Sequence, residues 1–161
     1  MHMFQYDAVD EAATERLGIE VANVVPRPAV VALCGTLGAG KTRLVRAIAR
    51  GLGIDPESVT SPTFVLLHEY PGTTPLFHFD AYRLRDEDEF WQLGADEYLS
   101  GQAGGVVVIE WADRVAGCLP DERLDITIEV VGPTERRFSI AAHGDRYEAS
   151  LRQLIRRYGG S

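Results

Sequence analysis

Lysine is nearly missing from this chain: among its 16 basic residues, 15 are arginine and only Lys41 is lysine. Cysteine is scarce as well. Cys34 and Cys118 are the two present, and neither lies in a C-x-x-C pair. That excludes a disulfide framework and argues against a thiolate metal or redox site. Cys34 closes an apolar run and reads as a small core residue. No apolar run reaches the roughly 18 residues that a membrane-spanning helix needs. The start, Met1 to Asp7, lacks the basic and apolar regions of a signal peptide, so the expected compartment is the cytoplasm. Positive charge is in deficit too. A net charge of −8 withholds general attraction to phosphate backbones and disfavours strong autonomous nucleic-acid binding. A local basic patch, or RNA contact within a larger complex, stays open.

What is there fits an ordinary soluble domain. The 161 residues suit a single domain spanning the whole chain, with 45% hydrophobic and 25% charged residues. Repeats and low-complexity stretches are lacking. Residues 10 to 24 read as a helix capped by Asp10, with Ala13, Leu17 and Val21 at helical spacing. Ala29 to Cys34 is a continuous apolar run, as expected of a strand buried on both faces. A helix from about Lys41 to Leu52 follows, closed by Gly51 and Gly53. Thr63 to Tyr70 and Leu76 to Tyr82 predict two strands joined by the turn Pro71-Gly72-Thr73-Thr74. In the second, Phe77 and Phe79 face one way, His78 and Asp80 the other. Asp86 to Leu93 and Ala95 to Leu99 read as short helices split by Gly94. Gly105 to Trp111 is a second buried strand. Leu124 to Val131 and Arg137 to Ala142 are antiparallel strands, and Asp145 to Tyr158 is a terminal helix. The alternation predicts an α/β fold with a mixed, partly parallel central sheet.

Between the first apolar strand and its helix stands Gly35-Thr36-Leu37-Gly38-Ala39-Gly40-Lys41-Thr42, which matches G-x-x-x-x-G-K-[ST]. The glycines let the backbone bend so that N–H groups point at a phosphate, and the following helix adds its positive end. Lys41 can reach the β- and γ-phosphates of a nucleotide, and the Thr42 hydroxyl can ligate Mg²⁺. A bland glycine turn would not need the lone lysine, a flexible point charge in a chain that otherwise uses arginine. Ras-type guanine recognition by N-K-x-D needs a second lysine, which is missing, so ATP is favoured. Candidates for adenine contacts are Glu11 and Thr14 on the first helix, and Arg136 and Arg137.

Such a loop needs an acidic partner at the end of a neighbouring apolar strand. Glu110 stands there, after Val106-Val107-Val108-Ile109; the bland alternative is an exposed strand-end glutamate. Asp80 is a second candidate, to orient the attacking water or bind Mg²⁺ through water, against pairing with Arg83 or Arg85. Thr63, in Thr60-Ser61-Pro62-Thr63, sits where switch segments offer a hydroxyl to the γ-phosphate; the other reading is a turn leading into a strand. Arg43, Arg46 and Arg50 form one stripe on the helix after the loop, either a solvated face or a partner contact.

Ser61-Pro62-Thr63-Phe64, then His78-Phe79-Asp80-Ala81-Tyr82-Arg83-Leu84, Phe90 with Leu93-Gly94, Glu97-Tyr98-Leu99 and Ile109-Glu110-Trp111 follow the loop in order. Together they resemble the TsaE (YjeE) family of bacterial P-loop ATPases, over about residues 10 to 140. The resemblance implies a three-layer P-loop NTPase-like fold and a role in making threonylcarbamoyladenosine at position 37 of tRNAs that read codons beginning with A. It implies ATP and Mg²⁺ as cofactors and the TsaB–TsaD heterodimer as partner, with tRNA met only through that complex. On this resemblance the chain hydrolyses ATP to support turnover of that complex and does not itself transfer the group. Thr42 and Glu110 would be magnesium ligands, Asp80 the catalytic carboxylate, and Trp111 a residue needed for activity or docking. The chain departs from the family at Thr36, where an acidic residue is common, which puts a contact from that side chain in doubt. A small-molecule kinase using the same loop, with Arg83, Arg85 and Arg136 as a clamp, and a nucleotide-switched binding module are the alternatives.

Overall fold

A computed structural model of the chain describes residues 2–35, 40–59 and 66–159. Seven strands form one sheet in the order β1-β7-β6-β2-β5-β4-β3. They are β1 (His2–Ala8), β2 (Ala29–Gly35), β3 (Leu67–Tyr70), β4 (Leu76–Asp80), β5 (Val106–Glu110), β6 (Arg123–Val130) and β7 (Arg136–His143). The helices are α1 (Glu11–Val24), α2 (Lys41–Gly51), α3 (Glu87–Gln92), α4 (Ala95–Leu99) and α5 (Asp145–Tyr158). The centre is parallel: β2 lies between β5 and β6, and β4 runs parallel to β5. Both margins are antiparallel, β3 on β4 and β7 between β6 and β1. This is the mixed α/β sheet expected from the alternation of elements. No described helix is long and apolar enough to cross a membrane.

The central strands bury side chains on both faces, which is why β2 and β5 read as unbroken apolar runs. Val31, Leu33, Val106, Val108 and Leu76 pack with Leu44 and Ile48 of α2 and with residues of α1 and α5. On the opposite face Phe77, Phe79, Val107 and Ile109 pack with Phe90 of α3, with α4 and with Val115 of the 3₁₀ segment Ala112–Cys118. Three layers result.

Local signals set the helix starts. Asp10 accepts the Ala13 N–H at 2.8 Å and Asp86 caps α3 through the Glu89 N–H at 3.0 Å. Helices α1 and α2 pack at close range because glycine lies between them. A Cβ on Gly18 would stand 2.4 Å from Ala47 Cβ, and one on Gly51 2.6 Å from Ala22 Cβ. That approach fixes where the N-terminus of α2 meets the sheet edge.

Several expected boundaries move. β4 ends at Asp80, before Tyr82, and β5 ends at Glu110, because Trp111 takes a left-handed conformation with φ 60°. Of the expected strand from Thr63, residues 67–70 are strand, and Thr63 itself lies outside the described residues. β1 was not among the expected elements. Its period-two pattern is nonetheless present: Phe4, Tyr6 and Ala8 turn inward while Met3, Gln5 and Asp7 are exposed. Cys34 is half-buried and opens onto a cleft, so it is not the core residue its apolar run suggested.

Candidate active site

Strand β2 delivers the chain to the glycine loop at Gly35, and α2 takes it away after Gly40. Gly40 holds φ 98° and caps α2 with no side-chain hydrogen bond, so the first amide groups of the helix keep no side-chain acceptor. Among the described residues, only Arg136 Nε, at 3.8 Å, lies near where a Gly40 Cβ would stand, and the positive φ by itself favours glycine here. Thr36, Leu37, Gly38 and Ala39 lie outside the described residues.

Lys41 is 5% exposed. Its Nζ donates to Gly35 O at 3.0 Å and sits 4.1 Å from the centroid of the Trp111 ring. Burial pushes the ammonium pKa down, and the nearby Glu110, Asp113 and Asp80 carboxylates partly restore it. A lysine here is a desolvated cation inside an acidic shell. Thr42, half-buried, follows it in the first turn of α2.

The two carboxylates end adjacent parallel strands. Asp80 and Glu110 are register partners, so both leave the sheet on the face that α2 covers. Glu110 is 5% exposed and its Oε2 meets His78 Nε2 at 2.5 Å. An exposed strand-end glutamate is therefore not what the fold makes of it. Asp80 is half-buried, and its Oδ1 accepts the Tyr82 N–H at 3.0 Å. Burial raises its carboxyl pKa above the ordinary aspartate range, and the Glu110 charge pushes the same way. Arg85, one of its possible partners, pairs instead with Glu89 at 3.1 Å.

Around this centre the fold adds aromatic and basic groups. The Trp111 ring packs at a tilt of 45° against Tyr82, with centroids 4.8 Å apart, and Arg114 lies 5.1 Å over Tyr82. A left-handed tryptophan costs roughly 1–3 kcal/mol of backbone strain, the kind retained where a side chain must be aimed. Glu11 comes to the same end of the molecule but pairs with Arg43 at 3.2 Å. Thr14 is 2% exposed within α1, and Arg137 pairs with Asp7. Arg46 donates to Val59 O and Arg50 pairs with Glu15. The arginine stripe thus ties α2 to its neighbours. Beside the loop lies a cleft of about 580 Å³, lined by Cys34, Gly35, Asp113, Thr127, Glu129 and Val130.

Thr42 and Glu110 fit magnesium by chemistry, since a hydroxyl and a carboxylate are hard oxygen donors. Among the described residues, no three His, Cys, Asp or Glu side chains form a metal cage by themselves. His78 and Asp113 carried no assigned role in the sequence. His78 was visible twice, by strand alternation on the Asp80 face and as the first residue of the His78-to-Leu84 run that carries the family resemblance; Asp113 had no such signal.

The sequence profile described as "Threonylcarbamoyl adenosine biosynthesis protein TsaE" matches residues 8–138. The tRNA threonylcarbamoyladenosine biosynthesis protein TsaE of Bacillus subtilis is 41% identical over 157 residues, covering 97% of this chain and 96% of that protein. The protein of the same name from Treponema pallidum is 43% identical over 128 residues, covering 80% and 93%. A crystal structure of Bacillus subtilis YdiB superposes with a TM-score of 0.79 at 34% identity, covering 97% of this chain and 96% of that one. With the loop, the sheet order and these likenesses agreeing, the chain belongs to the TsaE family.

Proposed function

We propose that this chain is a magnesium-dependent ATPase that serves threonylcarbamoyladenosine formation on tRNA, hydrolysing ATP to drive turnover of a TsaB–TsaD heterodimer without transferring the group itself. One observation carries the hydrolytic part: Lys41, Asp80 and Glu110 are brought to one sheet edge beside the uncapped start of α2. The pathway rests on the names of the relatives.

Lys41 and the α2 amides would bind the phosphates, with Arg136 beside the loop. Thr42 and Glu110 would hold magnesium, which when bound neutralises charge on the phosphate oxygens. Asp80 would orient the attacking water and accept its proton. Its raised pKa makes it a better proton acceptor than an exposed aspartate. Glu11 and Arg136 remain the candidates for contacts at the nucleotide's periphery, Thr63 for the γ-phosphate, and Trp111 for orienting Lys41.

The test is ATP hydrolysis with and without the heterodimer. Slow hydrolysis alone, stimulated by the partner and cut about 10²-fold or more in Glu110→Gln, is expected. Hydrolysis by Glu110→Gln at the wild-type rate sinks the site assignment, and phosphorylation of a small molecule favours the kinase reading.

Asp80 gives a pH signature. Folding raises its pKa, so the folded chain holds this proton more tightly than the unfolded chain. Stability from this group is therefore present at low pH and is lost as pH rises through the folded value. Hydrolysis behaves oppositely: it needs the carboxylate and falls as pH drops through that same raised value. Asp80→Asn should lower the maximal rate about 10²–10⁴-fold and remove this acid limb. A pH–rate profile that keeps the limb in Asp80→Asn assigns it to another group.

A further inference from the structure

Glu110 is held by a side chain with no part in the chemistry so far. His78 is 0% exposed in the middle of β4, and its Nε2 lies 2.5 Å from Glu110 Oε2. An ionised carboxylate only accepts, so the Nε2–H donates. The reach is diagonal: His78 is in register with Val108, and Glu110 lies two residues further along β5, opposite Asp80. His78 Nδ1 is buried and has no hydrogen-bond partner among the described residues.

Stability alone accounts poorly for this pair. A buried polar pair is often matched or bettered by apolar side chains of similar volume. An unpartnered buried nitrogen adds a further cost. The neighbours Val106, Val108 and Leu76 show that this face of the sheet accepts apolar residues. What the imidazole supplies that an apolar residue cannot is orientation. With Oε2 tied to Nε2, Glu110 is held to one rotamer, and Oε1 is the oxygen left to meet a cation.

We infer that His78 is a positioning residue for magnesium, fixing the Glu110 carboxylate through the Nε2–Oε2 hydrogen bond. The inference rests on the proposed function, in which Glu110 is a magnesium ligand. Hydrogen-bonded partners of metal ligands typically contribute about 10- to 100-fold to metal affinity. His78 should do so without touching nucleotide.

The experiment measures binding and not turnover. N-methylanthraniloyl-labelled ADP is titrated in EDTA and then across a magnesium series. His78→Leu should bind labelled ADP in EDTA within about twofold of wild type, while its magnesium midpoint rises about 10-fold or more. His78→Gln, whose amide nitrogen approximates Nε2, should stay within about threefold of the wild-type midpoint. A purely structural role would lower the melting temperature of His78→Leu and leave its magnesium midpoint unchanged, which overturns the inference. If His78→Leu does not fold, His78→Gln is compared with His78→Asn, whose amide is too short to reach Glu110. A gap of about 10-fold between them upholds the inference, and equal midpoints overturn it. Wild-type binding that ignores magnesium overturns the proposed function and this inference together. A wild-type magnesium midpoint in a folded His78→Leu overturns this inference alone.

Discussion

Lys41→Met is expected to lower kcat/KM for ATP hydrolysis about 10²–10³-fold while the protein stays folded. The loss follows from where the charge sits. Lys41 is 5% exposed at the start of α2, and it is the chain's single lysine. No neighbouring lysine can take its place, and an arginine would put a planar fork where the site holds a compact ammonium. The fold should tolerate the change because the cation is not there for stability. Burial lowers its pKa, so between that lowered value and the ordinary 10.5 the unfolded chain binds more protons than the folded one. The charged ammonium therefore costs stability at neutral pH, and stability rises with pH through that window. Methionine keeps the volume and removes the charge. It also gives up the bond to Gly35 O, so the melting temperature should stay within about 4 °C of wild type. Differential scanning calorimetry beside the hydrolysis assay checks both parts. A folded Lys41→Met that hydrolyses normally means the glycine loop is not the phosphate site.

Phe79→Ala should do the reverse, removing stability first and activity as a consequence. Phe79 is 0% exposed, with ring contacts to Phe90 at 5.2 Å and Tyr98 at 5.5 Å. Truncation leaves a cavity between β4 and helices α3 and α4, at a cost of about 3–5 kcal/mol. For a chain of this size that is a fall of about 6–20 °C in melting temperature. The adjoining Asp80 is held by the same strand end, so hydrolysis at temperatures well below the new midpoint should also weaken. A melting temperature unchanged in Phe79→Ala would mean this layer does not carry the sheet.

The sequence was most informative where local physics decides. Asp10 and Asp86 act as caps in the structure because an N-cap needs only its own turn. The unbroken apolar runs of β2 and β5 announced central strands because a parallel sheet is covered on both faces. The glycine loop stands out in the sequence as a full match to G-x-x-x-x-G-K-[ST], and the structure describes its ends, Gly35 and Gly40 to Thr42. Strand alternation put Asp80 on one face, and two faces are all that a strand has. β1 escaped although its alternation was present, because a strand at the sheet margin with a half-polar sequence stands out little until β7 pairs with it.

What the sequence by itself carried was the resemblance to the family, the order of the main elements after β1, and the candidate groups Lys41, Thr42, Asp80 and Glu110. Only the tertiary structure decided how they meet. The register of β4 on β5 sets Asp80 against Glu110 from residues 30 apart in the chain. It buries Glu110 onto His78 and stacks Lys41 on a strained Trp111. It also pairs Arg43 and Arg50 of the stripe with Glu11 and Glu15 of α1 and buries Thr14. The reason is physical. A cap or a loop is a property of neighbours along the chain, whereas burial and charge pairing depend on which distant side chains displace the water.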